Sequence, residues 1–94
     1  MIIIRNCFVA KPGQASKLAA VLKDATTVMN VPARVLTDLT GDCNRVVLEI
    51  EADNISGFEE RMREYSSNEA FREKMKGYTD HWVTGSRELL RVVD

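Results

Sequence analysis

"IIIRNCFVAKPG", residues 2–13, is the stretch on which the reading of the fold turns. Side chains alternate across a β-strand, so Ile2, Ile4, Asn6 and Phe8 share one side and Ile3, Arg5, Cys7 and Val9 the other. Both sides are mainly apolar, which calls for cover on both faces of the sheet. Arg5 and Asn6 interrupt the run, and asparagine is depleted in strands. Each therefore needs a polar partner or a task. "KPGQ" (11–14) then turns the chain into its next element.

Beyond the turn, Leu18, Val21, Leu22, Ala25, Val28 and Met29 recur at spacings of three and four, the stripe of an amphipathic helix. Asn30 suits its C-terminus, and Pro32 cannot continue it. "ARVLTDL" (33–39) and "RVVLEIE" (45–51) read as strands around the hairpin loop "TGDCN". Ser56 with Glu59, and Ser66 with Glu69, have capping-box spacing and divide the next region into two helices. Ile55, Phe58, Met62 and Tyr65 share a face of the first. Phe71, Met75, Tyr78 and Trp82 are assigned to the second, which Thr84-Gly85 ends. "RELLRVV" (87–93) is the last strand.

The resulting order, β-α-β-β-α-β, predicts a single ferredoxin-like α+β domain over residues 1–94. In that fold a four-stranded antiparallel sheet carries its helices on one face. The other face would present Ile3, Cys7, Val9, Leu36, Val47 and one of Leu89 or Leu90. An apolar sheet face of this size implies a partner, and a second copy packed sheet to sheet is the simplest. A chain of 94 residues has a thin core of its own, so such a second layer would help.

Composition narrows the function classes. The chain is 45% hydrophobic and 29% charged with a net charge of −1, as in ordinary globular domains. Without a basic run or stripe, nucleic acid is not an expected partner. No stretch approaches the roughly 18 apolar residues of a membrane span, and the N-terminal apolar run is too short for a signal peptide. A cytoplasmic location with Cys7 and Cys43 reduced is the expectation, and neither cysteine has metal-like spacing.

The first strand running into "FVAKPGQASKLAAVLK", the hairpin with "VVLEIEA", "FEERMREYSSNEAFREKMKGY" and the final strand together resemble the dimeric α+β barrel proteins. Among them the chain is similar to the antibiotic-biosynthesis-monooxygenase-like and NIPSNAP-like small domains, a group of mixed function. The resemblance implies a homodimeric barrel. Heme-degrading members carry an asparagine seven residues before a glycine, as Asn6 stands to Gly13. Their helical tryptophan and histidine, however, align near Arg61 and Met75, and a thioether does not replace an imidazole ligand. No heme, other cofactor or metal is therefore expected.

Each candidate residue has a functional and a structural reading. Asn6 either anchors a ligand between sheet and helices or bonds a neighbouring helix or backbone group. Arg5 points the other way, toward Glu49, Asp38, Arg34 and Arg91, and reads as part of a charged cluster in the dimer layer. His81 is the only histidine; it is either a proton-transfer group or a capping residue. Tyr65, Tyr78 and Trp82, with Phe71, Met62 and Met75, are core or the soft lining of a pocket. No catalytic triad, phosphate loop or dinucleotide fingerprint is present. The functional expectation is a pocket for a small apolar or aromatic molecule with Asn6, Tyr65 and Trp82 as ligand-binding residues. Catalysis, if present, would be cofactor-independent monooxygenation assisted by Tyr78 or His81. The alternative is a non-catalytic dimerisation or interaction module.

Overall fold

The structure, a computed structural model, describes residues 1–29 and 32–93. Strand β1 (Ile2–Ala10) lies inside a four-stranded antiparallel sheet of order β2-β3-β1-β4. Its neighbours are β3 (Arg45–Ala52) and β4 (Trp82–Arg91), while β2 (Ala33–Thr37) pairs with β3 at the far edge. Helices α1 (Ala15–Met29), α2 (Ile55–Ser67) and α3 (Glu69–Lys74) complete the α+β architecture. The least extent of the molecule is 18 Å, the depth of one sheet and one helical layer.

Alternation along β1 works as the sequence implies. Ile2 and Ile4 are buried in one core cluster with Val46, Leu48 and Ile50 of β3 and Leu18 and Leu22 of α1. Gly13, at φ +77°, takes the left-handed conformation that lets "KPGQ" reverse the chain, and Gln14 opens α1 by accepting the Leu18 N–H. The buried stripe of α1 is Leu18, Leu22, Ala25 and Thr26. Val28, expected on that stripe, is exposed, and Thr26 is buried instead because its hydroxyl donates to the Leu22 carbonyl at 2.9 Å. Asn30, expected at the end of the helix, lies outside the described residues.

Three local expectations are corrected. Asparagines, not serines, cap the second and third helices: Asn54 accepts the Gly57 N–H at 2.9 Å, and Asn68 accepts the Phe71 N–H at 2.8 Å. β2 stops at Thr37, because Asp38 turns back to accept the Arg45 N–H; its loop-side neighbour Leu39 is almost fully exposed. The third helix is also shorter than its apolar spacing implied. Met75 caps it, Gly77 at φ +80° breaks the path, and Tyr78–His81 form a single 3-10 turn. Trp82 is thus the first residue of β4, five residues before the expected strand start.

The face away from the helices is uncovered. It carries Ile3, Arg5, Cys7 and Val9 of β1, with Arg34, Leu36, Val47 and Glu49 on one side and Glu88 and Leu90 on the other. Leu89, opposite Ile4, turns to the helical side, so Leu90 is the leucine on this face. Arg5 Nε lies 3.1 Å from Glu49 Oε2, and Arg34 donates to Glu49 Oε1 at 2.8 Å. One carboxylate therefore serves two guanidiniums. Asp38 pairs with Arg45 instead, and Arg91, opposite Ile2, is on the other face. Cys7 is only half-buried, and both cysteines are free thiols. Among the described residues no helix is long and apolar enough to cross a membrane, and no cluster of candidate metal ligands occurs.

Candidate functional site: a cleft between sheet and helices

The helical layer does not close over β4. Between β1 and β4 below and α2, α3 and the 3-10 turn above lies a cleft of about 700 Å³. Small-molecule sites commonly run from roughly 300 to 1,000 Å³. One wall is an aromatic trio from β1, the 3-10 turn and β4. Phe8 meets Tyr78 edge-on at 6.4 Å between ring centroids and Trp82 at 5.5 Å. Gly85, directly opposite Phe8, makes room for the first ring: a Cβ there would stand 3.3 Å from Phe8 Cδ1. On the other wall Tyr65 of α2 stacks on Phe71 of α3 at 4.7 Å and 13°.

Asn6 lies in the floor, where the register sets it opposite Arg87 of β4. Arg87 Nε donates to Asn6 Oδ1 at 2.7 Å, and its guanidinium lies 5.8 Å from the centroid of the Phe58 ring. The half-buried amide thus finds its partner on the neighbouring strand, not on a helix or the backbone. Its NH2 remains available to another acceptor.

Two polar atoms in the walls are buried without a hydrogen-bond partner among the described residues, Tyr65 Oη and Trp82 Nε1. Leaving such a group unsatisfied costs about 1–3 kcal/mol. Burial also raises the Tyr65 phenol above its ordinary value of 10.0, with Arg61 opposing and Glu64 adding to the shift. The phenol is therefore a neutral donor at physiological pH. Met62 and Met75 flank these groups on the cleft wall, and their pliant thioethers can yield to an entering ligand.

The structure thus brings four of the five candidates, Asn6, Tyr65, Tyr78 and Trp82, onto one cleft. The fifth stands apart. His81 Nδ1 lies 3.0 Å from Gln14 Oε1, and the His81 carbonyl accepts the Lys11 N–H, which ties the 3-10 turn to the start of α1. Sequence reasoning missed Arg87 and Arg72, both of which line the cleft. Arg87 was hidden because the last strand was started at that residue, so its register against Asn6 could not be drawn.

No family model matches this sequence, and neither does any curated protein. Solved structures do match. A NIPSNAP domain protein of uncharacterised function from Burkholderia xenovorans superposes with a TM-score of 0.84, covering 99% of this chain and 95% of its own at 12% identity. A NIPSNAP family protein from Agrobacterium tumefaciens gives 0.81 at 10% identity, over 99% and 93% of the two chains. The chain has the fold of these proteins. A candidate antibiotic biosynthesis monooxygenase from Chloroflexus aurantiacus matches at a TM-score of 0.77 and 14% identity, over 99% and 94% of the two chains. At such identities the likeness concerns the fold, and function has to be argued from the cleft.

Proposed function

We propose that this chain is a cytoplasmic homodimeric protein that binds a small, largely apolar or aromatic molecule between its sheet and its helices. The observation that carries the reading is the open, aromatic-walled cleft whose floor holds a positioned amide, Asn6. Dimerisation is supported by the uncovered apolar sheet face, and a cytoplasmic location by the two free thiols.

In its catalytic form the proposal is cofactor-independent monooxygenation, the activity for which the Chloroflexus protein of the same fold is a candidate. Asn6 and Trp82 would position an aromatic substrate, and Tyr78 is the proton-transfer group already on the cleft wall. His81 does not line the cleft, and its Nδ1 is engaged by Gln14, so it is the weaker candidate for that part.

Thermal-shift screening of wild type and Asn6→Ala against aromatic acids, quinones and fatty acids tests the reading. A ligand at about 100 Kd stabilises the folded state by about 2.7 kcal/mol, an upward shift of several degrees in Tm. The expected result is stabilisation of wild type that is reduced or lost in Asn6→Ala. No stabilisation by any class, with Asn6→Ala simply less stable, would make Asn6 a structural partner of Arg87 and leave the interaction module as the reading.

A further inference from the structure

The charges around the cleft are one-sided. Its lining includes two guanidiniums, Arg72 and Arg87, and no carboxylate, in a chain with fourteen acidic residues and a net charge of −1. Among the described residues neither arginine is in an ion pair, whereas Arg5, Arg34 and Arg45 all lie against carboxylates elsewhere. Glu88, next to Arg87 in sequence, is on the opposite face of the sheet, where its carboxylate lies 4.0 Å from Cys7 Sγ.

Arg87 is also held in place. Asn6 Oδ1 accepts from its Nε, and its Cζ lies 5.8 Å from the centroid of the Phe58 ring, which leaves the two terminal amino groups of this exposed side chain to a ligand. Three other polar groups of the lining can donate to an anion as well. The Asn6 NH2 is unused, and Trp82 Nε1, a donor only, has no partner. Tyr65, 7% exposed, offers a neutral hydroxyl with no partner of its own.

We propose that the occupant of the cleft is an anion, an aromatic or otherwise apolar acid whose charged group is bound by Arg87. This rests on the reading of the cleft as a ligand site and adds the charge of what it takes. Arg72 supplies a second positive charge on the wall, and the aromatic trio receives the apolar body. Both arginines are exposed to solvent, so a neutral apolar ligand would gain nothing from them, while an acid gains charge-assisted hydrogen bonds from a fork that Asn6 already orients.

The test uses two fluorescent probes of nearly the same shape, anilinonaphthalenesulfonate and its uncharged analogue N-phenylnaphthylamine. Each is titrated into wild type, Arg87→Gln and, as a control on the opposite face, Arg5→Gln. The sulfonate is expected to bind wild type about tenfold or more tightly than the neutral probe. Arg87→Gln should remove most of that difference while leaving the affinity for the neutral probe unchanged, which also reports an intact cleft. Arg5→Gln should keep the difference. Equal affinities in wild type, a preference undiminished in Arg87→Gln, or one that disappears in Arg5→Gln would overturn the proposal while leaving an apolar site standing. Failure of both probes to bind wild type would overturn the ligand-site reading and this proposal with it.

Discussion

Ile4→Ala should lower the unfolding free energy by about 3 kcal/mol, measured by urea denaturation. Ile4 is fully buried at the centre of the sheet, between Ile50 of β3 and Leu89 of β4. Truncation removes its apolar transfer energy and leaves a cavity that close-packed neighbours fill only in part. For a domain of this size the loss is a large share of a total of about 5–15 kcal/mol. Leu39→Ala is the contrasting variant. Leu39 is 98% exposed, and its truncation should change stability by less than about 0.5 kcal/mol. Equal effects of the two would contradict the core described above.

If the protein forms the proposed sheet-to-sheet dimer, Val47→Glu should convert it to a monomer without unfolding it. Val47 lies on the uncovered face between Cys7 of β1 and Leu36 of β2, on the same strand and face as Glu49. In a monomer the new carboxylate stays hydrated, so the fold should survive. In the proposed sheet-to-sheet dimer it would be buried, and Glu49 is already engaged by Arg5 and Arg34 and adds negative charge nearby. The expected cost is about 3 kcal/mol, or roughly a hundredfold weaker association. Sedimentation or light scattering over a concentration series reads it directly. Wild type that is monomeric throughout, or a dimer indifferent to the substitution, would remove the sheet face from the interface.

Much of the fold was legible because its signals are local and redundant. The two-sided apolar pattern of residues 2–9 and the stripe of α1 each require one geometry. The element order then leaves few topologies. The errors lie where two signals competed. Phe71, Met75, Tyr78 and Trp82 keep helical spacing, yet Gly77 takes a left-handed conformation between them, and the path changes to a 3-10 turn and a strand. Trp82 still reaches the cleft, because a strand beginning there turns its first side chain to the same layer. Register was the piece that spacing could not supply. Once β4 begins at Trp82, Arg87 falls opposite Asn6, and the polar floor of the cleft follows.

Trp82 gives the most direct measurement. It is the only tryptophan in the chain, so its indole N–H is a single resonance in a proton–nitrogen correlation spectrum. That group is buried in the cleft wall with no partner among the described residues. On titration with anilinonaphthalenesulfonate, the indole resonance should shift saturably, together with the backbone amides of Phe71, Gly85 and Arg87. The amides of Ile3, Val47 and Leu90, on the opposite face, should stay where they are. An indole resonance that does not move at saturation, or shifts centred on Ile3, Val47 and Leu90, would contradict the assignment of the cleft as the binding site.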